Sequence, residues 1–500
     1  MVYSVLTEPV IPVLWLDGTS SSIGIREAFL RAHEIRDIQG ETPLERYALL
    51  RLLIAFAMDM LHPRTSYERR DLLEAGRFDQ DVFDQYIAMC EKDGPRFDLF
   101  DPEHPFMQSR YDENLDAKAK KTVASIVHSL PSGNNHVFID HRIADVHALS
   151  FSRAFHALLA SYLFCVSGTA GPSSVNNTPP VYAIMIGHNL FETIIANMLS
   201  DKEAGSLPYG SGFVPWRKER IVVPKENVAT VTLLEGLTWM PRRITLFPEE
   251  NGTIRRVCCQ AGLDFKGNEL WNDPHVPKFK KKDETYGTLK PELCRSMWRD
   301  AGALMYDHEG KTIRQPQALR CLNNVFEQDE LPYQIPIRTV GLITNQAAYT
   351  GWMEEVIALP SSLLTQQEQA ERFRADTSYL EAVQMQVSVN VQRYVDKPRN
   401  GSVGKEHEIA TQCQQHFLHA AHDLLFGSAM DEIISNVPEK QHAEHFCEAV
   451  KALLRETISQ VLRASGTDAK AMMQQMEAEK WIWISWSKIT EERMKGYAGS

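Results

Sequence analysis

The chain changes character near Pro360, and that change limits the folds open to it. Beyond this point strand signals fade, prolines become rare, and long segments with apolar residues at 3.6-residue spacing take over. In the third of these segments Phe446, Val450, Leu453, Leu454, Ile458, Val461 and Leu462 share one face, and Gly466 is placed to stop the helix. Thr467 or Asp468 then caps a last helix that carries Met472, Met476 and a Trp481, Trp483, Trp486 cluster. Four long helices joined by short polar loops predict an antiparallel four-helix bundle over 361–500. Residues 1–360 instead mix short strand-like runs, Pro/Gly-rich loops and amphipathic helices. The expected fold is therefore α+β, a large mixed N-terminal domain followed by the bundle.

Several local signals organise the first domain. Thr42-Pro43-Leu44-Glu45 reads as a helix start, with Thr as N-cap, Pro in the first turn and Glu three residues on to close a capping box. The helix that follows, through about Met60, is apolar on most sides and is expected in the core. A second helical pattern runs near Asp79 to Glu91. The segment Phe97-Asp-Leu-Phe-Asp-Pro-Glu-His-Pro-Phe-Met-Gln108 suits neither helix nor strand. Its prolines push Asp101 and His104 into extended backbone, and Phe97, Phe100 and Phe106 should pin the loop to the core. An apolar helix, Ala148 to Cys165, lies between loops at 132–141 and 167–180. Strand-like alternation dominates from about Arg220 to Pro336, including Thr238 to Leu246.

Composition excludes some classes. With 500 residues, 43% hydrophobic and 24% charged, the chain can build two to four cores. No apolar run reaches the roughly 18 residues of a spanning helix, and Ile184 to Leu199 is broken by His188, Asn189 and Glu192. No basic-then-apolar N-terminal segment suggests a secretory signal. Eight scattered cysteines, with only Cys258 and Cys259 adjacent, predict reduced thiols in a cytoplasmic protein with no membrane partner. The net charge of -12 argues against a free-standing, non-specific nucleic-acid binder. It leaves room for a protein that touches DNA at a few places while other subunits bring the positive charge.

The commonest catalytic signatures are missing. There is no phosphate-cradling G-x-x-x-x-G-K-[ST] loop, no G-x-G-x-x-G after a strand, and no nucleophile elbow. Neither His33-Glu34 nor His407-Glu408 has the second His of a zincin. The remaining enzymatic reading is a metal-dependent phosphohydrolase built from His416, His419, His422-Asp423, His442 and His445. The i, i+3, i+6 spacing of the first three drifts around a helix, so partly exposed histidines on polar faces are the plainer expectation.

Two segments suit nucleic acid. Lys278-Phe279-Lys280-Lys281-Lys282 follows the Pro-stiffened Asp273-Pro-His-Val-Pro277, and can project ammonium groups at a phosphate backbone or groove edge. Arg242/Arg243 and Arg255/Arg256 add to the basic character of this region. In Gly341-Leu-Ile-Thr-Asn-Gln-Ala-Ala348, Asn345 and Gln346 carry both donors and acceptors and can take the place of base-pairing partners.

Taken in order, the segments Ile11-Pro-Val-Leu-Trp-Leu-Asp-Gly18, Asp101 to Gln108 with its Glu-His-Pro-Phe-Met-Gln, Gly187-His-Asn-Leu-Phe-Glu192, Gly236-Leu-Thr-Trp-Met-Pro241 and Thr344-Asn-Gln346 resemble those of the CasA family. This is the large subunit of the type I-E CRISPR surveillance complex, Cascade, and the resemblance runs from end to end of the chain. It implies a non-catalytic subunit that recognises the protospacer-adjacent motif (PAM) in duplex DNA and starts strand separation, and no cofactor is expected. The implied partners are the backbone, handle-binding and small subunits of Cascade, the CRISPR guide RNA, double-stranded target DNA and a helicase–nuclease. In relatives a glycine loop, a lysine finger and a glutamine wedge act from the minor-groove side. The resemblance puts the wedge at Gln346 with Asn345 beside it, and the finger at one of Lys280, Lys281 or Lys282. The glycine loop falls at Gly168-Thr169-Ala170-Gly171, where this chain departs from a run of glycines. Phe138-Ile139-Asp140 resembles the element that docks near the 5′ handle of the guide RNA, with Asp140 where a relative has Asn. Some relatives carry clustered cysteines near Cys258 that can hold zinc. This chain lacks the partners, so no metal is expected.

Overall fold

In the computed structural model, which describes residues 2–130, 148–166, 174–176, 178–205, 214–217, 222, 225–265, 271–281, 284–293, 295–307, 313–326, 331–345, 348–396 and 408–497, the chain divides into two units. One comprises Met1–Met297 with Asp307–Ser361, and the other Trp298–Tyr306 with Ser362–Ser500. Together they make an α+β protein.

The first unit is built around the helix Pro43–Leu61. The Thr42 hydroxyl accepts a hydrogen bond from the Glu45 N–H at 3.2 Å, Pro43 sits in the first turn, and the helix closes at His62 in the left-handed region. Every residue from Tyr47 to Asp59 is buried, so this element is enclosed on all sides. One half of the expected capping box is not made. The Glu45 carboxylate is buried and accepts from Arg153 at 2.6 Å, because a buried carboxylate gains more from a guanidinium than from a backbone N–H. This unit also holds four antiparallel sheets among the described residues. Ile11–Trp15 pairs Ser20–Ile23 and Ile35–Ile38. Thr253–Ala261 pairs Arg242–Pro248, Lys120–Thr122 and Leu149–Ser150. Lys278–Lys280 pairs Tyr286–Thr288 and Ile313–Arg314. Gln334–Asn345 pairs Ala348–Pro360 along its length and Tyr182–Met185 at its base.

Some expected boundaries move. The apolar helix is Phe151–Leu163, started by the Ser150 hydroxyl, and Leu149–Ser150 joins a sheet instead. The strand expected from Thr238 begins at Arg242, because a full capping box between Thr232 and Glu235 makes Leu233–Leu237 helical.

The Phe97–Gln108 loop is pinned as its composition predicts. Phe97 and Phe106 are fully buried, 5.7 Å apart, and reach Phe56 and Phe155, while Phe100 is half-buried against Phe151 at 4.6 Å. Asp101 closes a local turn by accepting from the N–H groups of Glu103 and His104. Gln108 ties the loop to the neighbouring sheet: its Nε2 donates to the Leu99 carbonyl and its Oε1 accepts from the Leu246 N–H, both at 2.7 Å. Gln108→Leu should therefore destabilise the first unit by about 2 kcal/mol, since two buried backbone groups lose their partner. A chemical-denaturation midpoint equal to wild type would contradict this.

The second unit is helical. Its long elements among the described residues are Gln367–Tyr394, Glu408–Leu424, Glu439–Thr457 and Ala469–Lys495. Asp376 meets Arg493 and Tyr379 meets Thr490, so the first and last of these run antiparallel. Asp376 also meets His442, and Tyr379 meets Phe446, so the first and third run parallel. The second packs on both from the opposite direction: Asp396 receives the N–H groups of Ile409 and Ala410, and His416 meets Thr457 and Gln460. Phe446, Val450, Leu454, Ile458 and Leu462 are buried, whereas Leu453 and Val461 lie at the margin of that face. The third helix widens at Ile458–Leu462 and stops at Gly466, which is extended rather than left-handed. Asp468, not Thr467, caps the last helix by accepting from the Ala471 N–H at 2.8 Å.

Candidate nucleic-acid interface

Two hairpins of the first unit carry the residues that the sequence singles out. The long hairpin runs from the Gln334–Pro360 pair to the Asn345–Ala348 pair. Tyr182–Met185 supports only Ile337 to Val340, so the ladder continues beyond its third strand. A bulge between Ile343 and Thr344 accommodates Thr350, whose hydroxyl donates to the Ile343 carbonyl at 3.1 Å. The base of this ladder is anchored by charge. Arg338 pairs with Asp37 and Glu354, and Arg46 also pairs with Glu354. Nearer the end, the Tyr349 ring lies 5.0 Å from that of His128. Burial pushes the Tyr349 phenol up to about 12 and the His128 imidazole down to about 4, so both are neutral at pH 7. Asn345 is exposed at the last described position of its strand. Gln346, the expected wedge, lies outside the described residues, between strands that end at Asn345 and begin at Ala348.

The basic hairpin is more selective than its composition implies. Lys278 does not project outward: it is buried, and its ammonium donates to the Trp271 carbonyl. Burial pulls its pKa down to about 8. Lys280 is held by Glu284. Lys281 is exposed and forms no ion pair with any described residue, and Lys282 lies outside them. Arg242 and Arg243 do not add to a basic surface either, since both are buried. Arg242 donates to the Val166 carbonyl, and Arg243 forks onto Asp116 at 2.8 Å and donates to the Val222 carbonyl. Buried guanidinium groups at these positions satisfy backbone carbonyls. Arg255 and Arg256 are exposed.

Behind the basic hairpin lies a network that pattern reading did not find. Arg51, from the buried helix, forks onto Asp273 at 2.7 and 3.0 Å, and Asn176 donates to the same carboxylate at 2.9 Å. Burial alone would raise the Asp273 pKa, but the Arg51 charge reverses this and holds it below the usual carboxylate range. His275, pushed down to about 4 by burial, is neutral: its Nε2 donates to the Asn197 carbonyl, and its Nδ1 accepts from the Tyr47 hydroxyl. Trp271 donates to Asn176 and receives Lys278. The one sequence signal was Arg51, standing between Leu50 and Leu52 in an apolar helix.

The histidines of the second unit are not drawn to one point. His416 bonds Thr457 and Gln460, His422 stacks on Phe426 with ring centroids 5.1 Å apart, and His442 and His445 share Glu432. Among the described residues no group of three or more His, Cys, Asp or Glu side chains is placed to hold a metal ion. Gly168-Thr169-Ala170-Gly171 and Phe138-Ile139-Asp140 lie outside the described residues. No described helix is long and apolar enough to cross a membrane.

An α+β unit with a long ladder and an adjoining basic hairpin, joined in one chain to a helical unit, defines a class for which a family model exists. That model, described as CRISPR-associated protein Cse1, matches residues 5–464, and the chain belongs to this family. The CasA/Cse1 protein of Thermus thermophilus is 29% identical over 371 residues, covering 73% of this chain and 72% of that protein. The crystal structure of Cse1 from Acidimicrobium ferrooxidans superposes with a TM-score of 0.78 at 20% identity, covering 99% of each chain. A chain of a CRISPR RNA-guided surveillance complex gives 0.76 at 18% identity, covering 96% of this chain and 99% of that one. These superpositions show a shared fold.

Proposed function

We propose that the chain is the non-catalytic large subunit of a type I-E CRISPR RNA-guided surveillance complex, where it recognises the PAM in duplex DNA and begins strand separation. The observation that carries this reading is the long hairpin, whose ladder runs, with a single bulge at Thr350, up to an exposed Asn345, one residue before Gln346. A wedge must not bend when it meets a stacked base pair, and a cross-strand ladder anchored by Arg338 and Arg46 provides that stiffness. Opening the first step opposes stacking of roughly 1.4 kcal/mol, which guide–target pairing then offsets. Reading from the minor groove is degenerate, so a few donors suffice for a permissive PAM.

In this reading Gln346 with Asn345 is the wedge and Lys281 is taken as the finger, since Lys280 is held by Glu284 and Lys282, the third candidate, lies outside the described residues. Gly168 to Gly171 approaches the DNA backbone, and Phe138-Ile139-Asp140 docks near the 5′ handle of the guide RNA. The mixed domain over 1–360 helps recruit the helicase–nuclease, and the helices over 361–500 form an antiparallel four-helix bundle that contacts neighbouring subunits and the displaced strand. An overall charge of -12 is compatible with this division, since guide–target pairing carries the sequence information.

Gln346→Ala should slow R-loop formation on PAM-bearing duplex by about tenfold, the equivalent of one unassisted stacking step, while the complex still assembles. Lys281→Ala should weaken duplex binding and lower the salt slope by about one. R-loop formation at the wild-type rate in both variants would overturn the wedge and finger assignments.

A further inference from the structure

The basic hairpin has two faces with different fates. On the paired strands Lys278 opposes Thr288 and Lys280 opposes Tyr286, whereas Phe279 opposes Gly287. Lys278 and Lys280 thus share one face, where the Trp271 carbonyl and Glu284 already hold them. Phe279 and Lys281 lie on the other. A Cβ built on Gly287 would stand 2.8 Å from Lys281 Cε and 3.0 Å from Phe279 Cζ, so the ring and the lysine stem lie side by side over the glycine. Phe279 is 40% exposed, and Lys281 is exposed as well. The two side chains thus present an apolar ring and an ammonium together on one exposed face, with no ion pair to Lys281 from any described residue and a floor cleared by a glycine.

We infer that Phe279 and Lys281 together form one nucleotide contact: the ring packs on a deoxyribose of the PAM duplex while the ammonium meets the adjoining phosphate. The ligand must present an apolar face and a negative charge one bond system apart, as a sugar–phosphate unit does. In an intact duplex the base faces are stacked and inaccessible, so the sugar is the apolar face on offer along the minor-groove edge. Gly287 is then a positioning residue, needed because any side chain there would displace both groups. The inference rests on the DNA-recognition reading and adds an uncharged member to its finger.

The test uses the reconstituted complex and a short duplex that carries the PAM but no guide complementarity, titrated at several NaCl concentrations. Phe279→Ala and Gly287→Ala are each expected to lower affinity roughly fivefold to tenfold at every salt with the slope unchanged, and Phe279→Tyr to bind as wild type. Lys281→Ala should lower affinity and also the slope, by about one. Should Phe279→Ala fail to enter the complex, Gly287→Ala and Phe279→Tyr carry the comparison alone. Wild-type binding by Gly287→Ala, or a loss seen only with a single-stranded probe, overturns the sugar contact. A wild-type complex that binds PAM-bearing and PAM-scrambled duplexes alike would sink the parent reading, whereas a Phe279-dependent loss on both would leave the contact standing.

Discussion

Asp273→Ala is expected to destabilise the first unit by about 3–5 kcal/mol, because it leaves the buried Arg51 guanidinium without its carboxylate. Both members of the pair are buried, at 2% and 0% side-chain exposure, so solvent screening offers no discount. The loss should lower the melting temperature of this unit by roughly 5–10 °C, followed by circular dichroism. The effect should also reach the basic hairpin. Asn176, Trp271 and Lys278 are linked to the carboxylate in series, so DNA binding should weaken in the folded fraction too. Asp273→Asn, which keeps the shape and one acceptor, should cost less. An alanine variant that melts within a degree of wild type would show that the pair contributes nothing, as some buried ion pairs do when replaced together.

The second large effect concerns pH and the helical unit. His442 is buried and donates from Nδ1 to Glu432 and from Nε2 to Asp376, both at 2.8 Å, which requires both ring nitrogens protonated. Burial by itself lowers its pKa, but the hydrogen bonds and charges of Asp376 and Glu432 outweigh it and the net shift is upward. A raised folded-state pKa means that the stabilisation is complete below the unfolded value near 6.5 and is lost as pH rises through the folded value. Arg493 also meets Asp376, and His445 shares Glu432. The Glu432 pKa is lowered despite a desolvation cost, chiefly through hydrogen bonds from His445 and His442, so acid erodes the cluster from the other side. The helical unit should thus be more stable near pH 6 than near pH 9. His442→Gln should flatten that dependence, and His442→Ala should cost about 3 kcal/mol near pH 6. Melting curves of the wild type that superimpose across this range would contradict the assignment.

Elements whose fate is set by neighbours in sequence were legible without the fold. The Thr42-Pro43 helix start, a cap at Thr467 or Asp468, the apolar face from Phe446 to Leu462 and the pinned Phe97–Gln108 loop follow from local sterics and periodicity. These act over a few residues and leave their mark in spacing. The order of segments from Ile11 to Gln346 was enough to indicate the family. The orientation of charge was not legible. Lys278 and Lys281 look alike in the run Lys278 to Lys282, and Arg242/Arg243 look like Arg255/Arg256. Which member turns inward depends on carbonyls and carboxylates more than a hundred residues away in some cases, as with Arg243 and Asp116. Burial of a charge is a long-range property: it requires a partner that only the folded chain delivers, and desolvation makes the choice all-or-none. Composition and periodicity alone determined that this is an α+β chain with a helical end. Tertiary structure decided which of its cations remain available to a ligand, because only packing brings their competing partners within reach.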